Sequence, residues 1–266
     1  MSNKRRPRKA VILAGGFGTR LTEETVLKPK PMVEIGDRPI LWHIMKMYAH
    51  HGINEFVICL GYKGHFIKDY FISYLWLNSS ITIDLQKGAV TPHSAHTEPW
   101  KVSLIDTGSD VPTGERLRRV RAYLDDDRPF CLTYGDGVSD IDIAASIDFH
   151  LKHGKLATIT AVAPPGRFGA LHTDKKNAVT RFKEKPVGDG DMINGGFMVM
   201  SPDAIDYIGK KAGMLEDDLL VTLAKKKQLM AYRHDGFWQP MDTIRDVGLL
   251  QKLWSNDEAP WKTWKD

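Results

Sequence analysis

Ala10-Val11-Ile12-Leu13-Ala14-Gly15-Gly16-Phe17-Gly18-Thr19-Arg20-Leu21 carries the reading of the fold. Its first five residues suit a buried strand. Glycines directly after a strand allow positive φ and let backbone N–H groups surround a hollow where an anion can sit. Thr19 adds a hydroxyl, and Arg20 adds a planar five-donor cation suited to phosphate. A dinucleotide fingerprint, G-x-G-x-x-G, fits Gly16 and Gly18 but meets Leu21 where its third glycine belongs. That disfavours an NAD-dependent oxidoreductase. A Walker loop needs a Gly-Lys pair that this stretch lacks. A turn that merely reverses the chain accounts for neither Thr19-Arg20 nor the basic Lys28-Pro29-Lys30-Pro31 that follows. A phosphate cradle of another kind is the reading that survives.

Beyond this turn, short β-branched runs alternate with helical patterns, which predicts a three-layer αβα, Rossmann-like fold with a mixed, mainly parallel sheet. Strands are expected at 10–14, 56–60, 81–85, 102–105, 130–134, 157–162, 178–183, 196–200 and 230–233. Helices are expected at 39–51, 65–77, 115–124, 141–153 (capped by Asp140), 202–208, 216–227 and 243–254. Residues 9–266 read as one domain, with a loop or hairpin excursion near 86–101 and a basic, poorly ordered leader over 1–8. The 266 residues carry 37 Lys+Arg against 33 Asp+Glu, a formal charge of +4. This mild excess suits phosphorylated small molecules and falls short of a nucleic-acid binder's basic stripe. No apolar run is long enough to span a bilayer, and the one after the leader is too short for a signal peptide. Cys59 and Cys131 fall inside expected strands and read as small core residues of a soluble, cytoplasmic chain.

Asp136 follows an apolar strand and lies between Gly135 and Gly137, at the strand end where open α/β sheets bind ligands. Asp242 precedes the last helix. Magnesium on a triphosphate takes one or two carboxylates plus phosphate oxygens and waters, a need that these two aspartates fit. A turn aspartate at 136 and a helix N-cap at 242 are the plainer alternatives. Pro29 stiffens the segment holding Lys28 and Lys30, of which Lys28 reads as solvated. Thr113, Gly114 and Arg116 form a second glycine-containing turn that opens a helix, where Thr113 is a good cap residue. His93, His96 and Glu98 fall short of the four N/S ligands of a structural zinc site. Trp238 reads as core. Trp261 and Trp264 read as exposed aromatics at a subunit interface, hence an expected homo-oligomer.

The motif Gly15-Gly16-x-Gly18-Thr19-Arg20-Leu21 with Lys28-Pro29-Lys30-Pro31-Met32 resembles the opening of the nucleotide-diphospho-sugar pyrophosphorylases. The likeness continues through Tyr134-Gly135-Asp136-Gly137, Pro165–Leu171, Glu184-Lys185-Pro186, Ile193–Phe197 and Gly236–Thr243. It implies a GT-A-like nucleotidyltransferase using Mg²⁺ on Asp136 and Asp242. The members it most resembles move a cytidylyl group from CTP to α-D-glucose 1-phosphate, releasing pyrophosphate without a covalent intermediate. Catalytic roles then fall to Arg20 and Lys30 on the triphosphate and Lys185 on the sugar phosphate. Leu13, Ala14, Gly15, Gly16, Gly18 and Thr19 would join Thr113, Gly114, Arg116 and Asp136 around the nucleotide. Gly169, Glu184 and Asn194 would line the sugar. Uridylyl or thymidylyl transfer, and a non-catalytic nucleotide-sugar sensor, remain open beside this reading.

Overall fold

The computed structural model describes residues 6–16, 28–95, 97–125, 127–164, 170–173, 178–183 and 192–264. The chain opens with β1 (Lys9–Leu13), a 3₁₀ turn (Lys30–Met32), the short pair β2 (Glu34–Ile35) and β3 (Arg38–Pro39), and α1 (Ile40–His50). Then come β4 (Glu55–Leu60), α2 (Gly64–Leu77), β5 (Ser79–Asp84), β6 (Ala89–Ala95), β7 (Lys101–Asp106) and α3 (Thr113–Arg119). The middle supplies β8 (Phe130–Tyr134), β9 (Gly137–Ser139), α4 (Ile143–His153), β10 (Ala157–Val162), β11 (Ala170–Thr173), β12 (Val179–Lys183) and β13 (Ile193–Met200). A 3₁₀ segment (Pro202–Tyr207), a π-helical turn (Glu216–Leu220) continuing into α5 (Val221–Lys225), β14 (Leu229–His234), β15 (Trp238–Pro240) and α6 (Ile244–Ser255) complete it.

Seven strands form the central sheet in the order β14-β10-β13-β8-β1-β4-β7. All neighbours are parallel except those of β13, which runs antiparallel to both β10 and β8. β1 lies inside the sheet between β8 and β4, and both its faces are buried. Ala10 and Ile12 join one core with α1, Ile67 of α2, Ile147 of α4 and Leu250 of α6. Val11 and Leu13 face the other core, with Leu117 of α3, Ala204, Leu219 and Leu223. Helices therefore cover both faces, giving the expected αβα layering on a mixed, mainly parallel sheet. The carboxyl ends of β1 and β8 are adjacent, which sets the glycine turn beside Gly135-Asp136.

Several local expectations shift. Asp140 does not cap α4. Asp142 does, accepting from the Ala145 amide at 2.8 Å. α3 ends at Arg119 instead of 124, followed by a 3₁₀ turn. β5 pairs with β6 in a ribbon of its own, separate from the main sheet. Arg6 pairs with Asp148 and Pro7 is buried, so the described part of the expected leader packs on the fold. Trp261 and Trp264 are buried in the core, which overturns their reading as an exposed docking pair. Cys59 and Cys131 are buried and free, and burial pushes both thiols up to about 12. Among the described residues no helix is long and apolar enough to cross a membrane.

Candidate active site

Pro29 and Pro31 bracket Lys30 in the 3₁₀ turn, where the Met32 amide bonds the Pro29 carbonyl at 2.8 Å. The turn buries the Lys30 side chain, whose Nζ donates to Asp136 Oδ2 at 2.7 Å and to Asp242 Oδ1 at 2.6 Å. A three-rung antiparallel ladder explains how these distant acids meet. Gly137 pairs with Pro240, Val138 with Gln239 and Ser139 with Trp238. Asp136 precedes one strand and Asp242 follows the other, so antiparallel pairing puts them side by side. The Met241 amide bonding the Asp136 carbonyl at 2.8 Å closes that end. Thr243, not Asp242, caps α6, through a reciprocal box with Asp246. The Asp242 carboxylate is thereby left to face Lys30.

Burial alone would lower the Lys30 pKa. Attraction and hydrogen bonds from Asp136, then Asp242, outweigh it and hold the ammonium above its ordinary value. One cation between two carboxylates leaves the cluster with net negative charge. The ammonium marks a position where hard oxygen donors converge on positive charge. Among the described residues no group of three metal-ligating side chains occurs. Two carboxylates are the protein share that a magnesium ion on a triphosphate requires, so the donor set fits such an ion.

This cluster borders a cavity of about 550 Å³ lined by Leu13, Ala14, Gly15 and Gly16, with Tyr134-Gly135-Asp136 and the 109–113 segment. That volume is in the range of small-molecule sites. Arg116 braces one wall. Its guanidinium donates to the carbonyls of Gly15, Leu60, Gly108 and Ser109 and to Thr107 Oγ1, at 2.7 to 3.1 Å. It thus ties the glycine turn to the ends of β4 and β7. A Cβ on Gly15 would fall 2.2 Å from an Arg116 nitrogen, so any side chain there would push the guanidinium off its partners. Arg116 lines the cavity as expected, and its bonds give it a bracing task that spacing did not reveal. Thr113 does not cap α3, whose N-cap is Pro112, and it lines the cavity. Its Oγ1 accepts from the Leu215 amide at 2.7 Å. Gly114 permits close approach to the Gly213 carbonyl, which accepts its amide proton at 3.2 Å.

Asn194 donates to the Tyr134 hydroxyl, which donates to Glu216, and Glu216 also accepts from Thr113. Tyr134 lines the cavity, so this chain connects its wall with β13. The sequence reading missed Tyr134, Glu216, Asp110 and Met214. The acidic run Glu216-Asp217-Asp218 was the available signal for the second of these. Lys28 pairs with Glu34 at 2.9 Å, in keeping with a solvated role. His93 bonds Thr82 across the ribbon, while Glu98 pairs with Lys46, so these two do not converge on a metal. Gly18, Thr19, Arg20, His96, Gly169, Glu184 and Lys185 lie outside the described residues.

The nucleotidyl transferase family model matches residues 9–260. A glucose-1-phosphate cytidylyltransferase from Salmonella typhimurium is 57% identical over 257 residues, covering 97% of this chain and 100% of that protein. A probable glucose-1-phosphate cytidylyltransferase from Bacillus subtilis is 44% identical, covering 96% and 100% respectively. The solved structure of a putative glucose-1-phosphate thymidylyltransferase from Bacillus anthracis superposes with a TM-score of 0.66 over 97% of each chain. Its 17% identity speaks for the fold alone. With a match spanning almost the whole chain and a hollow of small-molecule size at the carboxyl ends of β1 and β8, this chain belongs to the nucleotidyl transferase family.

Proposed function

We propose that this chain transfers the cytidylyl group of CTP to α-D-glucose 1-phosphate, giving CDP-glucose and pyrophosphate. The observation that carries the reading is the convergence of Asp136 and Asp242 on Lys30 beside the glycine turn, in a chain 57% identical to a glucose-1-phosphate cytidylyltransferase. A phosphate oxygen of the sugar phosphate attacks the α-phosphorus of CTP. The bond between that phosphorus and the bridging oxygen breaks, and pyrophosphate leaves in line. The nucleophile is already anionic, so no protein base is needed, and catalysis rests on orientation and charge neutralisation.

Main-chain amides of the Gly15-Gly16 turn face the phosphates. Lys30, fully protonated at neutral pH, approaches the α-phosphate and offsets part of the gathering negative charge. Arg20 braces the leaving pyrophosphate, Lys185 holds the sugar phosphate, and Glu184 and Asn194 accept or donate to sugar hydroxyls. Asp136 and Asp242 would hold a magnesium ion, which when bound supplies Lewis-acid neutralisation of phosphate oxygens. The buried free thiols suit a reducing, cytoplasmic setting.

Pyrophosphate release is measured side by side with CTP, UTP and dTTP at fixed glucose 1-phosphate and magnesium. CTP should dominate turnover. Equal rates with the three nucleotides would overturn the cytidylyl reading, and no turnover with any of them would overturn the enzyme.

A further inference from the structure

β13 does not run evenly along its neighbours. Ile159 of β10 faces Met198 and Ala161 faces Asn194, so four steps along β13 are matched by two along β10. The surplus is a bulge at Gly195-Gly196-Phe197, a device that re-aims a side chain beside a site. Gly196 takes a φ of +79°, and its amide donates to Asn194 Oδ1 at 2.8 Å. A Cβ on Gly196 would fall 2.7 Å from a ring carbon of Tyr134, so the bulge lies close against that ring. The Trp238 indole N–H donates to the Gly195 carbonyl at 2.7 Å, which fastens the bulge to the ladder that Asp136 and Asp242 flank.

Glu216 reaches the same place from the other side. It opens the π-helical turn, in which the Leu220 amide donates to the Leu215 carbonyl at 3.0 Å. Turns of this kind are frequent at functional sites. The Glu216 carboxylate accepts from the hydroxyls of Tyr134 and Thr113. Burial first, and Glu216 second, hold the Tyr134 phenol protonated far above its ordinary range. An ionised carboxylate only accepts, and a phenol carries a single proton. Glu216 takes that proton, so the Tyr134 oxygen is left to accept, and Asn194 Nδ2 donates to it at 3.4 Å. The Asn194 amide is thereby held at both ends. A flip would set its oxygen against the Tyr134 oxygen and its N–H against the Gly196 N–H. Beyond Tyr134, Nδ2 has no partner among the described residues, which leaves it one N–H to give.

We propose that Glu216 is a positioning residue for the sugar: by claiming the Tyr134 proton it fixes the Asn194 amide so that one N–H is offered to a hydroxyl of the hexose phosphate. The inference rests on the cytidylyl-transfer reading above, in which Asn194 meets sugar hydroxyls. Glu216 does not line the cavity and acts through Tyr134, which does. Without the carboxylate the phenol proton turns toward Asn194, and the amide loses its fixed sense.

Steady-state kinetics with each substrate varied at saturating levels of the other test this. Glu216→Leu should raise the KM for glucose 1-phosphate by about three- to tenfold, the worth of one misdirected hydrogen bond. Thr113 keeps its Leu215 bond, so the KM for CTP should change by less than about twofold. Glu216→Gln still offers an oxygen to the phenol and should restore a near-native KM. Tyr134→Phe should copy Glu216→Leu, and the double variant should be no worse than Tyr134→Phe, because the two residues act in series. Should Glu216→Leu fail to fold, Tyr134→Phe and Glu216→Gln carry the same comparison. A native KM for glucose 1-phosphate in Tyr134→Phe overturns the proposal, as does a Gln variant that binds sugar as poorly as the Leu variant. An equal rise in both KM values would mean a generally loosened site and equally overturn it. A native chain without turnover fails the functional reading itself and takes the relay with it, whereas native turnover with unmoved variants fails the relay alone.

Discussion

At Lys30 the site's electrostatics reduce to three side chains. Removing one acid changes the charge of the cluster while leaving the ladder that positions it untouched. Asp242→Asn keeps the shape and the α6 cap, because the capping box belongs to Thr243 and Asp246. Turnover should nevertheless fall by about 10²–10³, the usual effect of losing one preorganised electrostatic group. Steady-state kcat at saturating CTP and magnesium measures it, and near-native turnover would remove Asp242 from the chemistry. Lys30→Met leaves Asp136 and Asp242 facing each other without the cation between them. The expected loss in kcat is of the same order, roughly 10²-fold or more. A loss confined to KM would restrict Lys30 to holding the ground-state nucleotide.

At the scale of elements, Arg116 matters because it fastens three strand ends at once. Arg116→Lys keeps the charge but removes the planar fork, stranding carbonyls of Gly15, Gly108 and Ser109. Of these only the Gly15 carbonyl is buried, and an unpaired buried polar group costs about 1–3 kcal/mol, so stability should drop by roughly that amount. Urea unfolding reads the change; a shift under about 1 kcal/mol would show that the brace is dispensable. None of this was legible in the sequence, since the acceptors lie at Gly15, Leu60 and 107–109 and spacing says nothing about where they meet. Legibility followed locality. The apolar runs of β1, β4 and β8 and the glycines after β1 announce themselves over five or six residues. The cap of α4 did not, because Ser139-Asp140-Ile141-Asp142 offers two aspartates. The ladder settles it by extending β9 to Ser139 and engaging the Asp140 amide with the Phe237 carbonyl, which delays the helix. The pairing of β9 with β15 joins three-residue strands about 100 positions apart and leaves no periodic trace. Asp136 and Asp242 stand out in the sequence by their glycine and helix-mouth settings, which are local, and the fold brings both onto Lys30.

Over the whole molecule, the C-terminal segment returns to α1 and closes an aromatic core around His43. The His43 ring is fully buried, with its Nε2 2.9 Å from the Ile35 carbonyl and the Trp261 indole N–H 3.4 Å from its Nδ1. Trp254 meets it edge-on at 4.5 Å. Nδ1 accepts and Nε2 donates, so the neutral ring is the form that fits. Burial is the main cause that brings its pKa down to about 4, with the Arg38 charge adding to it and the Ile35 and Arg38 carbonyls and Asp37 opposing. The unfolded chain therefore takes up this proton first on acidification. Its contribution is complete above about pH 6.5 and is lost as pH falls from there toward 4. His150, also buried and brought to about 4, adds a second proton with the same sign. Within that window each group steepens the dependence of unfolding free energy on pH by up to about 1.4 kcal/mol per unit. His43→Phe keeps a flat ring in the cluster and deletes one of the two protons. Urea unfolding between pH 7 and 4 should give a shallower acid slope for that variant, on top of a constant offset for the lost Ile35 bond. Parallel curves for the two chains would mean that His43 takes up its proton alike in the folded and unfolded chain. Trp261→Ala checks the same closure by packing alone, with an expected cost of about 3–5 kcal/mol for a buried tryptophan. The offset from this cavity should be the same across the whole pH range, whereas the pH-dependent part of the His43 effect vanishes above neutrality. That contrast separates the charge on the core from its volume.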